Sequence, residues 1–150
     1  MFIEQYVHDF ATAEDVAQDV LVKLYLKKPH YQRKASFKTW LYTIAKRDAI
    51  NYIKKQKRHA EIDESRAMSN EEYVDEFVAN EEKRELYLAL ESLKDDYRRV
   101  LYLKYFEDLS VSDIAKLLKK TPKQVTDMLY NAKKTLAGVL EKGDFYYENF

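Results

Sequence analysis

The chain runs to 150 residues, and its 26 Lys and Arg are matched by 26 Asp and Glu, giving a formal net charge of zero. That length suits one ordinary domain or two small ones, because each core must bury enough apolar surface to offset the ordering of its backbone. The absence of cysteine excludes disulfides and thiolate metal sites and suits a reducing, cytoplasmic setting, while no apolar run nears the roughly 18 residues of a membrane span.

The opening MFIEQYVHDF lacks the basic-then-apolar order of a signal peptide, so neither export nor membrane insertion is expected. Glycine occurs only at 138 and 143 and proline only at 29 and 122, which leaves residues 30–121 without either of the two strongest breakers. Apolar residues recur at helical intervals in both halves of the chain, and the expected fold is all-α. Charge shows where that fold divides. Residues 1–58 hold 12 basic against 6 acidic side chains, residues 59–80 hold 1 against 7, residues 81–140 hold 12 against 10, and residues 141–150 hold 1 against 3. Neutrality is thus a cancellation between a basic first helical domain (1–58), an acidic linker (59–80), a second helical domain (81–140) and a short tail (141–150). The linker, HAEIDESRAMSNEEYVDEFVAN, has weak periodicity and room for one short helix near residues 73–78.

The first predicted helix takes Thr12 as its cap, carries Glu14 and Asp15 in its first turn and ends in Lys27 and Lys28 before Pro29, charges that complement the helix dipole at both ends. Val16, Ala17, Val20, Leu21 and Leu24 form its expected buried stripe. Asp15, Gln18, Asp19 and Val22 fall on another face at i, i+3, i+4 and i+7, which by spacing alone is a solvated face. A short basic loop, HYQRKA (30–35), follows, and Ser36 is placed to cap the next helix. Phe37, Leu41, Ile44, Ala45 and Tyr52 are the expected buried stripe of that helix, with Trp40, Thr43 and Arg47 on one flank and Tyr42 and Lys46 on the other. Residues 34–58 hold eight Lys or Arg and one acid, Asp48. Cations that meet phosphates, beside flat side chains on which unstacked bases lie, are what a single-strand surface needs. The same residues also suit a core flanked by a solvated basic face, and both readings stand at this point.

Beyond the linker, Leu86, Leu90 and Leu93 predict one helix, and Tyr97, Val100, Leu101 and Tyr105 the next. Ser110 with Asp113 three positions on reads as a capping box, and Thr121, Pro122 and Gln124 set a cap, a first-turn proline and an N3 partner in order. Two capped helices about three residues apart have helix-turn-helix spacing. Burying Val125, Leu129, Ala132 and Leu136 turns Lys123, Asp127, Tyr130, Asn131 and Lys134 outward, with Thr126 and Lys133 to one side. Asn and Lys can meet base edges from there, and Lys can meet phosphate. A generic helical hairpin is the plainer alternative, and the double capping pattern argues against it. His8, His30 and His59 are too scattered for a metal cluster, and no glycine-rich phosphate loop or nucleophile motif occurs, so neither a cofactor nor an enzymatic activity is expected.

Taken in order, AEDVAQDVLVKLY, ASFKTWLYTIAKRDAINYIKKQKR, the acidic linker and LKDDYRRVLYLKYFEDLSVSDIAKLL with the final helix resemble bacterial RNA polymerase sigma factors of the extracytoplasmic-function (ECF) group, over roughly residues 13–140. The resemblance implies a region 2 that docks on the polymerase clamp through Asp15, Gln18 and Asp19. It implies that the same region opens the minus-ten element through Tyr31, Arg33, Lys34, Ser36, Trp40, Lys46 and Arg47. It further implies a region 4 that binds the minus-thirty-five element through Lys123, Thr126, Asp127, Tyr130, Asn131, Lys133 and Lys134. Core RNA polymerase and promoter DNA are the implied partners, with an anti-sigma factor as a further one, and the linker is implied to thread near the RNA exit path. Polymerase would supply the chemistry. About a dozen residues precede AEDVAQDV, fewer than the family's usual first helix and lead-in, so a shortened region 2 is expected. Lys119 stands where a turn glycine is common, and Met128 and Asn131 stand where arginine is frequent. With Asp127 adding a negative charge, weak or unusual minus-thirty-five recognition is implied. The alternative is a stand-alone helix-turn-helix regulator that binds duplex DNA without polymerase. The closing EKGDFYYENF lies outside the resemblance.

Overall fold

The computed structural model describes residues 2–62 and 81–142. Every described element is helical, as the breaker-free sequence predicts, and the chain divides into two compact units, Met1–Glu71 and Glu72–Phe150. Residues 59–62 of the expected linker continue the third helix. Residues 63–80, including the short helix expected near 73–78, and residues 143–150 lie outside the described residues. Among the described residues no helix is long and apolar enough to cross a membrane.

In the first unit α1 (Glu4–Val7), α2 (Phe10–Lys27) and α3 (Phe37–Ile62) pack on one another. The residues ahead of AEDVAQDV are part of this body: Phe2, Ile3 and Tyr6 are buried. The Phe2 ring stacks on Tyr42 of α3 at 4.5 Å and 8° and meets Tyr6 edge-on at 5.4 Å. Helix α2 starts two residues before Thr12. Its cap is Asp9, in extended backbone, whose carboxylate accepts the Thr12 N–H at 2.7 Å. A charged acceptor at the positive end of the dipole is a stronger cap than a threonine hydroxyl, and Thr12 serves as the N3 donor instead. Hydrogen bonds from the Thr12 side chain and backbone hold the Asp9 carboxyl below its ordinary pKa. Lys28 closes the helix in the left-handed region, its N–H bonded to the Leu24 carbonyl at 3.0 Å.

The α2–α3 contact corrects part of the expected core. Ala13, Val16 and Val20 are buried from α2, but Leu21 is 61% exposed. From α3 the buried residues are Thr39, Ala45, Asp48 and Ala49, while Phe37 is 56% exposed. Helices α1 and α3 leave the outer side of α2 uncovered, and alanines on both sides of the α2–α3 contact let the buried stripe be narrow. The apolar residues beyond it stay outside. Asp48, with 8% of its side chain exposed, accepts from Lys23 of α2 at 2.9 Å and faces Arg47 Nε at 3.7 Å, so an ion pair ties the two helices where the sequence shows only a lone acid.

The second unit contains α4 (Glu81–Glu91), α5 (Asp95–Leu101), a π-helical turn (Tyr102–Phe106), α6 (Val111–Leu118) and α7 (Pro122–Lys142). Helices α4, α5 and α6 all pack against α7. Its core is large and aliphatic: Val100, Leu101, Leu103, Ile114, Leu117, Val125 and Leu129 are buried. Tyr105, expected inside, is exposed, because the π-helical turn inserts an extra residue and shifts the register of the side chains after Leu103. Arg98 is buried at the α4–α5 corner, donating to the Glu91 carbonyl at 3.2 Å and to Asp95 Oδ1 at 2.8 Å.

Candidate nucleic-acid interface

The helix-turn-helix follows its capping signals closely. Ser110 accepts the Asp113 N–H at 3.0 Å and starts α6. Thr121 and Gln124 form a reciprocal box, the Thr121 N–H donating to Gln124 Oε1 at 2.9 Å and the Gln124 N–H to Thr121 Oγ1 at 3.1 Å, with Pro122 at the first helical position. The turn between the helices bends at Lys119, whose φ of 55° lies in the left-handed region. A lysine there carries the strain that a glycine would not. Val125, Leu129 and Ala132 face the core and Leu136 is half-buried, so Lys123, Thr126, Asp127, Tyr130, Asn131, Lys133 and Lys134 all stand exposed along α7.

A second surface lies at the start of α3. Ser36 caps the helix, accepting the Thr39 N–H at 3.2 Å. The preceding loop passes through Arg33 at φ 56° and is pinned by the Tyr31 hydroxyl, which donates to the Ala35 carbonyl. This brings three rings together: Tyr31 lies 5.5 Å from Phe37, edge-on, and 5.3 Å from Trp40, and Phe37 lies 5.4 Å from Trp40. Trp40 and Tyr31 are half-buried and Phe37 is exposed, so the cluster is open on one side. Arg33, Lys34 and Ser36 are exposed beside it, Arg47 is exposed further along, and Lys46 is half-buried. The cluster includes Phe37, which periodicity assigns to the core. Its adjacency to Ser36 and its place one turn before Trp40 are the signals that point to it instead.

Lys23, Lys27, Arg47 and Asn51, with Leu24, Pro29, Ile44 and Asp48, line a groove between α2 and α3 of about 270 Å³. Sequence reasoning finds Arg47 there but misses Lys23, Lys27 and Asn51; the i, i+4 spacing of each pair on its helix is the signal.

The third surface is the outer side of α2. Asp15, Gln18 and Asp19 are exposed, and so are Leu21, Val22, Tyr25 and Leu26 on the following turns. Acids and an amide beside a run of uncovered aliphatic and aromatic groups form a surface suited to a protein partner, more than the solvated face that spacing alone suggests.

The described residues hold no group of three or more His, Cys, Asp or Glu placed to bind a metal ion.

Comparisons with known proteins agree with this division. The Sigma-70 region 2 family model matches residues 2–59, and the Sigma-70, region 4 model matches residues 83–136. The chain is 30% identical over 140 residues to RNA polymerase sigma factor YlaC of Bacillus subtilis, covering 88% of this chain and 79% of that protein. It is 27% identical over 148 residues to ECF RNA polymerase sigma factor SigX of the same organism, covering 93% and 76%. Among solved structures it is similar in fold to the co-crystal structure of the sigma factor RpoE in complex with the anti-sigma factor NepR from Bartonella quintana, with a TM-score of 0.74 at 20% identity, covering 93% of this chain and 88% of that one. Matches to both regions in one chain favour a promoter-specificity subunit and give no support to a stand-alone regulator.

Proposed function

The chain belongs to the RNA polymerase sigma factors, in the ECF group, and from that premise we propose that its first unit holds core polymerase and a single DNA strand while its second reads duplex upstream. In this reading Asp15, Gln18 and Asp19, with the uncovered Leu21 and Tyr25 beside them, meet the polymerase clamp. Tyr31, Arg33, Lys34, Ser36, Trp40, Lys46 and Arg47 take the minus-ten element, and Lys123, Thr126, Asp127, Tyr130, Asn131, Lys133 and Lys134 take the minus-thirty-five element. The linker 59–80 joins the two, and the protein works in the cytoplasm, where polymerase is.

The observation that carries the proposal is the open cluster of Tyr31, Phe37 and Trp40 at the head of a basic helix. Stacking on such rings is worth about 1–3 kcal/mol per base and is available only to a base that has left the duplex. Cations further along the helix hold the strand by its phosphates, which makes the affinity salt-dependent. The surface therefore favours the open form of DNA over the closed one, and that difference drives strand separation. The chain itself supplies no catalytic group to this process; bond formation belongs to polymerase.

The proposal extends to an anti-sigma partner, of the kind that the Bartonella structure pairs with its sigma factor. Such a protein would compete for the uncovered apolar side of α2.

Run-off transcription with core polymerase and a promoter library tests the proposal. Start-site selection that appears only when the chain is added is the expected result; transcripts unchanged by the chain would overturn it. Replacing Lys46, Arg47, Lys54 and Lys55 by alanine weakens promoter binding most at low salt, with the gap closing as salt rises, because fewer phosphate contacts give a shallower salt slope.

A further inference from the structure

Resting on the reading of α7 as the helix that enters the major groove, we propose that Asp127 and Asn131 choose the bases there: Asp127 selects a cytosine, and Asn131 an adenine within about two base pairs of it.

The exposed side of α7 is sorted by charge along its length. Lysines bracket the polar stretch of its first half, Lys123 near the start and Lys133 and Lys134 just past the middle of the helix, with Lys119 and Lys120 exposed in the turn before it. Between them lie Thr126, Asp127, Tyr130 and Asn131, none of them a cation. Long cations at the margins reach phosphates, which position a helix on the duplex and carry no sequence information. Short polar groups in the middle are left for base edges.

Of those central groups, Thr126 has its hydroxyl proton committed, since Oγ1 donates to the Pro122 carbonyl at 3.0 Å. The side chains of Asp127 and Asn131 make no hydrogen bond or ion pair with any described residue, although Lys123 stands one turn from Asp127 on the same helix. Both heads therefore reach a groove with their full bonding capacity.

Their chemistry differs in a way that separates bases. A carboxylate only accepts at neutral pH, so it needs an amino edge. Cytosine offers its N4 amino group in the major groove, whereas adenine sets its N6 amino group beside the N7 acceptor, which repels the second carboxylate oxygen. Guanine presents acceptors alone and is rejected. The Asn131 carboxamide both accepts and donates, which fits the N6 and N7 pair of adenine in a bidentate contact. Four residues along a helix rise about 6 Å, against about 3.4 Å per base pair, so the two contacts fall within about two base pairs. An acid among phosphates costs affinity on every sequence that lacks its cytosine, so Asp127 contributes to selectivity by repulsion as well as by attraction.

The test uses the full-length chain with core polymerase and a promoter library whose minus-ten element is fixed and whose upstream element is random; the DNA retained in complexes is sequenced. Wild type enriches a motif with cytosine and adenine at positions within about two of each other, each preferred by about tenfold or more. Asp127→Asn moves the cytosine position toward adenine, a gain that a folding defect cannot produce. Asn131→Ala flattens the adenine position, and Lys133→Ala with Lys134→Ala lowers recovery of all sequences alike. If wild type enriches an upstream motif that Asp127→Asn leaves unchanged, or one lacking cytosine and adenine, the base assignment falls and the reading of α7 stands. If wild type selects no upstream motif while initiating at the minus-ten element, both fall.

Discussion

The second unit encloses Val100, Leu103, Ile114, Leu117 and Val125 at 0–1% exposure, whereas the side chains enclosed to that degree in the first are Ala13, Ala49 and Thr39. The first unit also leaves Phe10, Leu21, Val22, Tyr25, Leu26 and Phe37 uncovered, five of them on one helix. The second unit leaves Tyr87, Leu88, Tyr105, Phe106 and Tyr130 uncovered as well, spread over three elements, so the difference lies in what each unit encloses and in the gathering of the first unit's exposed groups on one helix. In the second the enclosed residues make a core large enough to hold a recognition helix by packing alone. In the first α2 and α3 meet through small residues and an ion pair, Phe2, Ile3 and Tyr6 close one side, and the outer side of α2 keeps its large apolar groups uncovered, the side that the proposed function gives to a partner.

Replacing one large core residue breaks that contrast most severely. Leu103→Ala is expected to cost the second unit about 2–5 kcal/mol, through lost burial and the cavity left behind. Urea unfolding checks it, and an effect under 1 kcal/mol would mean the core is less tightly enclosed than described. Trp40→Ala touches the open surface instead. It should leave thermal stability of the first unit little changed while lowering open-complex formation by about 1–3 kcal/mol, roughly 5- to 150-fold, with Trp40→Phe retaining most of the activity. A large loss of stability in Trp40→Ala would assign the ring to the core.

The ion pair between α2 and α3 sharpens the comparison on a smaller scale. Lys23 is half-exposed and Asp48 is not, so the two deletions are unequal. Lys23→Ala leaves a buried carboxylate with only Arg47 Nε at 3.7 Å and should cost about 1–3 kcal/mol. Asp48→Ala frees a lysine that water solvates and should cost less, under about 1 kcal/mol. A double-mutant cycle measures the coupling, and equal single effects would contradict the asymmetry.

The smallest expected effect is at Asp9. Asp9→Ala should cost about 1 kcal/mol at neutral pH. Because hydrogen bonds from Thr12 lower the folded-state pKa of this carboxyl, its contribution is complete above its unfolded value of about 3.9 and is lost as pH falls through the lower folded value. Wild type and variant should therefore begin to converge in stability as pH falls below about 4 and should meet only below the lowered folded-state value. A difference that persists there would mean the cap does not depend on the charge.

What could be seen in the sequence was what local chemistry decides. The capping patterns that start α6 and α7 involve residues three positions apart: the Thr121–Gln124 box forms in full, whereas at α6 Ser110 caps the Asp113 N–H and the Asp113 carboxylate turns toward Lys116 without closing the expected box. Asp9 was missed because Asp and Thr are both good caps and only the backbone path chooses between them. Leu21 and Phe37 were misassigned because helical periodicity does not distinguish an apolar residue facing a core from one facing a partner. The buried Asp48 was invisible for another reason: its stabilising cation is 25 residues away, on a different helix. The stack of Phe2 on Tyr42 joins residues 40 positions apart and leaves no local mark. Of the candidate site, the loop 30–35, Trp40 and the outward face of α7 were legible from charge and spacing. The ring cluster required the fold of the loop that sets Tyr31 against the start of α3, and the Lys23–Asn51 groove required the packing of α2 on α3.

Permanganate reactivity of thymines in the minus-ten region tests most directly the claim that the open ring cluster works on a separated strand. With the full-length chain and core polymerase together, unpaired thymines should appear near the start site, should be absent with either component alone, and should be strongly reduced by Trp40→Ala while complex assembly persists. Thymines that stay protected in a fully assembled complex, or that react equally with Trp40→Ala, would contradict the account.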